Sequence, residues 1–386
     1  MIFAEVVALL TTLMTLAGLA YLLLALLAAR SFRREPKVPA AVVSPTVSVL
    51  KPVKGMDPLR YAAFASHCMQ HYGGRYELLL GLSDPEDETV LAEVERLHVE
   101  FPEALIRAVP CGERLGTNGK VSTLVQMLPH ALGEVIVIND ADIAVGPQYL
   151  AQVVAELAQP NVGFVTAPYR GDAAAQPGIW TKLEALGIAT DFFPGVLTAR
   201  MLDRSVRFGL GSTLAMTRET LKAIGGLEPL LEVLADDYEL GARVHALGKR
   251  VVLMPDVVAT SVPEYSFTAF FEHQLRWARG VRDARRLGYL GLVVSYALPW
   301  AALNVIATGF ALPSITLLSL VLLARVALAL QVGVGLLRDG QVLRDIWLLP
   351  LRDAFGLFFW AWSYAGDEVV WRGERFRLRR GVLLKK

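Results

Sequence analysis

Cysteine is scarce in this chain of 386 residues, glycine-rich phosphate signatures are missing, and the net charge is close to nil. The two cysteines, Cys68 and Cys111, are too few and too far apart for a zinc site, and reduced thiols are expected. Neither G-x-G-x-x-G nor G-x-x-x-x-G-K-[ST] occurs, which argues against classical dinucleotide and P-loop sites. With 38 basic against 37 acidic residues the formal charge is +1, and no basic, aromatic-interleaved stretch marks the middle of the chain. A nucleic acid partner is therefore not expected. Internal repeats and low-complexity tracts are absent. No basic region precedes the first apolar run, so that run does not read as a cleaved signal peptide.

Apolar residues are plentiful instead, at 54% against 19% charged, and the excess collects at the two ends. Residues 1–29 carry one charge, Glu5, and are long enough to span a bilayer. Arg30, Arg33, Arg34 and Lys37 follow the run, so a membrane anchor over 1–30 is expected with the chain emerging in the cytoplasm. Residues 31–45 read as a Pro/Ala/Val-containing linker. A second apolar block begins near Gly288 and carries only Arg325 before Arg338. A third stretch, Ile346 to Ala365, is aromatic-rich but holds Arg352 and Asp353. Residues 288–366 are thus expected to be transmembrane or re-entrant, ahead of a basic cytoplasmic tail over 367–386. Three full spans would put that tail outside, so one of the three is expected to be re-entrant or interfacial, or the tail breaks the charge rule.

Residues 46–262 have ordinary soluble composition and alternate strand and helix patterns, the signature of an α/β domain with a mainly parallel sheet. Val47–Leu50, Tyr76–Leu82 and Leu105–Val109 read as strands, with Leu59–Gln70 and Glu88–Phe101 as helices. The organising stretch is Glu134-Val-Ile-Val-Ile-Asn-Asp140-Ala-Asp142, a strand buried on both faces that runs into two carboxylates. Ligands of open α/β sheets bind beyond the carboxyl ends of the strands, and paired carboxylates repel unless a cation lies between them. A solvated turn would also explain the two acids. Asp84 ends the second strand in the same way. The loop Arg114-Leu-Gly-Thr-Asn118-Gly-Lys120 feeds a helix at Val121 and suits either a polar ligand or a simple cap. Phe208–Met216 reads as a strand whose glycines allow a close approach, and Trp180–Thr190 as a helix. In Asp236-Asp237-Tyr238-Glu239 the helix dipole accounts for one acid at a helix start but not for three. Residues 263–287 carry Phe267, Phe270, Phe271, Leu275 and Trp277 among five arginines, a basic amphipathic helix for the inner leaflet, and include His273-Gln274-Leu275-Arg276-Trp277.

Asp84, Asp140-Ala-Asp142, Asp236-Asp237-Tyr238 and His273-Gln-Leu-Arg276-Trp277, in that order, resemble the motifs of processive and lipid-linked GT-A glycosyltransferases. The Leu50-Lys-Pro-Val-Lys-Gly-Met-Asp-Pro58 opening, the Gly116–Lys120 loop, Pro168-Tyr169 and Trp371-Arg372-Gly373 are similar to the ceramide glucosyltransferase-like family 21. Within it the resemblance is to the bacterial hopanoid-associated N-acetylglucosaminyltransferases. Two departures stand out: His273 replaces the usual Gln or Arg, and the middle motif keeps both acids where animal ceramide enzymes keep the first.

The resemblance implies a GT-A domain between N- and C-terminal transmembrane helices in the bacterial inner membrane. It implies inverting transfer of glucose or N-acetylglucosamine from a UDP-sugar to the hydroxyl of a ceramide or hopanoid-type lipid. Asp237 would be the general base. Asp84, Asn118, Lys120, Asp140, Arg276 and Trp277 would bind the donor, and Asp140 with Asp142 would hold Mg²⁺ or Mn²⁺. Asp236, His273 and Gln274 fall to the acceptor or interface side. Two competing readings remain: a phosphatase or phosphotransferase of the haloacid dehalogenase type, and a non-catalytic membrane-anchored nucleotide- or lipid-binding relative.

Overall fold

The computed structural model describes residues 2–36, 38–39, 41–55, 57–174 and 176–385. Lys37 of the basic run and Met56 of the Leu50–Pro58 opening lie outside the described residues.

Twelve strands occur among the described residues: β1 (Val47–Val53), β2 (Tyr76–Leu82), β3 (Leu105–Pro110), β4 (Val135–Ile138), β5 (Val162–Thr166), β6 (Tyr169–Ala173), β7 (Leu214–Thr217), β8 (Arg250–Leu253), β9 (Val258–Val262), β10 (Glu368–Trp371), β11 (Glu374–Arg379) and β12 (Val382–Lys385). Seven form the central sheet, in the order β3-β2-β1-β4-β7-β5-β8. The pairs β1–β2, β2–β3, β1–β4 and β5–β8 are parallel, whereas β7 runs antiparallel to β4 and β5. The sheet is therefore mixed, not uniformly parallel. Because β1, β2 and β4 point the same way, Asp84 and Asp140 emerge at one edge of the sheet. All four residues of β4 are buried, as a Val/Ile run covered on both faces should be.

The first nine helices are α1 (Ile2–Arg33), α2 (Arg60–Cys68), α3 (Glu88–Glu100), α4 (Gly119–Met127), α5 (Tyr149–Leu157), α6 (Ile179–Gly187), α7 (Phe193–Asp203), α8 (Arg218–Ala223) and α9 (Asp236–Ala246), with α1 packed against α7. The amphipathic α10 (Phe267–Ala284) follows, then α11 (Arg286–Gly291), α12 (Ala297–Ala307), α13 (Leu312–Ala329), α14 (Gln341–Asp345) and α15 (Leu349–Trp362). Sequence reasoning expected one helix over Trp180–Thr190. The chain instead leaves α6 through a π-helical turn, Ile188–Phe192, before α7. Such turns frequently mark functional positions.

The expected strand over Phe208–Met216 is also shorter, starting at Leu214. Its first half is drawn out of the sheet against α9. The Gly209 amide donates to the Asp237 carbonyl at 3.1 Å, and a Cβ on Gly241 would stand 2.3 Å from the Gly209 nitrogen. Backbone meets backbone here, and only two glycines allow it. Gly241→Ala is expected to cost about 1–3 kcal/mol, the usual overpacking penalty. Thermal unfolding should register it as a lowered midpoint.

Among the described residues two helices are long and apolar enough to cross a membrane, Ile2–Arg33 and Leu312–Val334. A third crossing is possible by length only if Arg286–Ser295 and Ala297–Ala307, bent by 53°, count as one broken span. At 14 residues, α15 is about 21 Å long, short of a hydrocarbon core of about 30 Å. A Cβ on Gly18 of α1 would lie 2.7 Å from the Ala297 Cβ, so α1 and α12 cross closely. Thr12 donates to Asn304 at 2.8 Å across the same interface.

The apolar helices and the sheet share one continuous hydrophobic core. They also share charges. Arg325 of α13 bonds Asp353 of α15 at 2.7 Å and also Asp191 in the π-helical turn. Asp191 in turn meets Arg352 at 2.7 Å, and Arg352 donates to Gln274 of α10 at 2.7 Å. Removing one partner of a buried ion pair strands the other. Arg325→Met is expected to cost about 3–5 kcal/mol, and Arg325→Met/Asp353→Leu to recover part of it, in thermal unfolding of the detergent-solubilised protein.

The basic C-terminal segment forms a three-stranded antiparallel meander, β10-β11-β12. It folds back onto the segment before α9: Leu234 N–H donates to the Gly381 carbonyl at 3.0 Å and Leu383 N–H to the Glu232 carbonyl at 2.8 Å.

Candidate active site

The carboxyl edge of β1, β2 and β4 gathers the acids that the sequence singled out. Asn139 closes β4, fully buried. Its side-chain nitrogen donates to the Tyr149 hydroxyl at 2.9 Å and to the Ser212 carbonyl at 2.6 Å. That clamp fixes the exit of the strand, so the next three residues leave in one direction. Asp140 and Asp142 follow, both partly buried. Lys120 reaches Asp140 at 2.8 Å and Asp236 at 3.4 Å. Thr260 of β9 donates to the Asp142 carboxylate.

Gly211 faces this cluster. A Cβ there would stand 3.2 Å from Asp140 Oδ2, 3.4 Å from Asp237 Oδ2 and 3.8 Å from Lys120 Nζ. A glycine thus lines the point on which two carboxylates and an ammonium converge. A side chain at this position would intrude on it.

The charges are tuned by their surroundings. Burial pushes the Asp237 carboxyl up to about 6, reinforced by neighbouring Asp236 and opposed by Lys120. Burial works against the charge on Lys120, yet Asp140, Asp236 and Asp237 together hold it well above the usual lysine range. Burial and then Asp140 raise the Asp142 carboxyl. Lys51 lies behind the pair at 0% exposure, its ammonium donating to the Ile143 carbonyl at 2.8 Å. Burial brings it down to about 7, against the pull of Asp142 and Asp140.

Among the described residues no group of three or more His, Cys, Asp or Glu is placed to hold a metal. Two adjacent carboxylates nevertheless fit an oxygen-seeking divalent ion of the Mg²⁺ or Mn²⁺ kind, which binds through one or two carboxylates and completes its shell with water and phosphate.

Several residues sit differently from expectation. Asn118 is fully buried and caps α4 by accepting from Val121 N–H at 3.1 Å, while its amide donates to the Val233 carbonyl at 2.7 Å and to Asp236 at 3.3 Å. It holds the acid-bearing loop in place and offers no open face to a donor. Asp236 is buried between Asn118 and Lys120. Gln274 is buried as well, bonded to Glu184 and Arg352. His273 pairs with Glu184 at 3.4 Å and packs on Tyr265 and Trp277. These two anchor α10 to α6 because a polar side chain facing inward must find partners.

Asp84 is exposed at the end of β2, apart from the Lys120 cluster, and accepts from Glu86 N–H at 3.1 Å. Trp277 is partly buried against Phe192, with ring centres 5.5 Å apart. Phe192 also touches Tyr169. Arg276 lies over the Trp371 ring of β10 at 5.9 Å. Beside it a groove of about 340 Å³ runs between α10 and β10, lined by Phe267, Phe271, Leu275, Arg276 and Val369. Phe271 packs against Phe358 and Phe359 of α15, so the groove borders the apolar half.

Sequence reasoning named no site role for Lys51, Gly211, Thr260, Tyr169 or Arg372. Lys51, Tyr169 and Arg372 lie inside motifs that the sequence singles out, and Gly211 is among the glycines read as allowing a close approach. Thr260 carried no signal at all.

Comparison with known proteins places this geometry. The sequence profile described as Glycosyl transferase family 21 matches residues 10–384. Ceramide glucosyltransferase 1 of Caenorhabditis elegans is 25% identical over 250 residues, covering 64% of this chain and 52% of the relative. Beta-monoglucosyldiacylglycerol synthase of Trichormus variabilis is 26% identical over 284 residues, covering 70% and 57%. The chain spans about half the length of the curated relatives it matches. A solved mannosyltransferase of Pyrobaculum calidifontis, PcManGT in complex with GDP-Man and Mn²⁺, superposes with a TM-score of 0.54 at 22% identity, covering 93% of this chain and 97% of that one. The likeness shows a shared GT-A fold.

Proposed function

Since the chain belongs to glycosyl transferase family 21, we propose that it transfers a sugar from a UDP-sugar to the hydroxyl of a membrane lipid, with inversion at the anomeric carbon. The observation that carries this is the convergence of Asp140, Asp237 and Lys120 on Gly211. An inverting displacement needs one base beside the acceptor hydroxyl and positive charge beside the leaving diphosphate, and no covalent nucleophile.

Asp237 supplies the base. A carboxyl near 6 is mostly ionised at neutral pH, and it is a stronger base than an ordinary aspartate. Asp140 and Asp142 would hold Mg²⁺ or Mn²⁺, which when bound neutralises charge on the diphosphate. Lys120 holds Asp140 in place and brings a proton-bearing ammonium to the same cleft. Asp84 sits where a base or ribose would be read, and Arg276 adds charge from the α10 side. Trp277, packed on Phe192, closes the cleft toward the apolar half. The lipid enters along the α10–β10 groove, with its hydrocarbon against Phe267 and Phe271.

Family membership replaces the haloacid dehalogenase reading. The sugar is glucose or N-acetylglucosamine and the acceptor a ceramide or hopanoid-type lipid, with the catalytic half on the cytoplasmic side of a bacterial inner membrane. The test is UDP release by the purified full chain with each UDP-sugar and extracted membrane lipids. Turnover with one donor–lipid pair is expected. UDP binding without release for any pair would favour the non-catalytic reading.

A further inference from the structure

The C-terminal meander touches the active site from three sides. Its β10 end is tied to α10, where Arg282 pairs with Asp367 at 2.9 Å and Arg279 donates to the Glu368 carbonyl. Its β11 end is tied to the loop before Lys120, through Arg114 and Glu374 at 2.5 Å. Its β12 pairs with residues 232–234, immediately before Asp236. Between the first two attachments lies the two-residue turn Arg372-Gly373, closed by the Trp371–Glu374 pair. The turn therefore spans from the Arg276 side of the cleft to the Lys120 side.

Both turn residues have positive φ, 53° at Arg372 and 80° at Gly373, as a two-residue hairpin of this hand requires. Asn is the favoured residue at the first position, and Arg there is strained by about 1 kcal/mol. The Arg372 guanidinium lies 5.9 Å from the Trp371 ring, which Arg276 also approaches at 5.9 Å; burial lowers its pKa against the pull of Asp140, Asp236 and Asp142, and no ion pair joins it to any of the three. Lys54 and Arg276 feel its charge in turn. The neighbouring hairpin repeats the same turn with Arg380-Gly381, φ 51° and 80°, and its glycine is spent on backbone contact with Leu234 and Asp283. Turn chemistry alone thus treats the two arginines alike, while their surroundings differ.

We infer that Arg372 is a diphosphate-binding residue, carried to the donor site by the C-terminal meander, which closes over the nucleotide opposite Asp140 and Asp142. A guanidinium on a turn bracketed by α10 and the loop before Lys120, with no ion pair to Asp140 or Asp142, can take an anion that brings its own cation to that acid pair. The inference rests on the UDP-sugar reading above.

The test uses the full chain in detergent with Mn²⁺, and compares Arg372→Asn, Arg372→Lys and Arg380→Asn. Asn suits the turn better than Arg, so Arg372→Asn removes the charge while preserving the hairpin. Titrations with UDP, UMP and uridine are the readout. Arg372→Asn is expected to weaken UDP at least tenfold, to weaken UMP less, and to leave uridine unchanged. Arg372→Lys should restore part of the UDP affinity, and Arg380→Asn should match the parent. Parent-like UDP affinity in Arg372→Asn would overturn the assignment alone, as would an equal loss for all three ligands. A parent protein that binds no UDP would sink the donor reading and the assignment with it.

Discussion

Asp237→Asn is expected to abolish sugar transfer while leaving UDP-sugar binding in place. The amide is nearly isosteric and still accepts from the Tyr238 amide, which the carboxylate does at 2.8 Å. It cannot take a proton, and loss of a general base removes about 10²–10⁴ in rate. The pH profile of the parent carries the same signature. The Asp237 carboxyl sits at about 6, above an ordinary aspartate, so the active ionised form is full above that value and drains away below it. Transfer should therefore fall tenfold per pH unit on the acid side of about 6. Steady-state rates from pH 4.5 to 8, with donor binding measured in parallel, check both statements; Asp237→Asn turning over at the parent rate would assign the base elsewhere.

The second large effect is expected from removing divalent ions. Asp140 and Asp142 stand one residue apart with Lys120 bonded to only the first of them, while Asp142 accepts from the neutral Thr260 hydroxyl. Chelation should cut transfer by about a hundredfold or more, in line with losing one element of charge stabilisation at a leaving group. Mn²⁺ or Mg²⁺ should restore it. Asp142→Asn should show the same loss in the presence of metal, together with a weaker response to added Mn²⁺. Full activity in chelator would remove the metal from the proposal and leave Lys120, Arg276 and Arg372 to carry the diphosphate charge.

Legibility in the sequence followed the range of the contacts. β4 could be read because four β-branched residues need both faces covered, whatever lies around them. The acids at strand ends and at the start of α9 were visible for the same local reason. Asn118 and Lys120, two residues apart in one loop, divided the two readings left open there: the first caps α4 and the second reaches the acids. No local pattern separates those outcomes, since both depend on where residues 233–236 pass. The polar side chains of α10 were similarly ambiguous, because an amphipathic period shows which face is buried but not that Glu184 and Arg352 wait beneath it. The meander was the least legible part. Its arginines read as a basic tail, and long-range ties to α10, to the loop before Lys120 and to the loop before α9 bring Arg372 near the cleft.

The chain of charges from Gln274 through Arg352 and Asp191 to Arg325 and Asp353 sets the height at which this protein works. It rivets α10, the roof of the cleft, to a helix long enough to cross the bilayer. Sliding one past the other would strand several charges at once, so the catalytic half has no cheap way to tilt or rise. In the proposed reaction this holds Asp237 at a fixed standoff from the bilayer. A lipid acceptor would have to lift its hydroxyl to that level along the α10 groove, and its polar headgroup would be the part that has to be long enough.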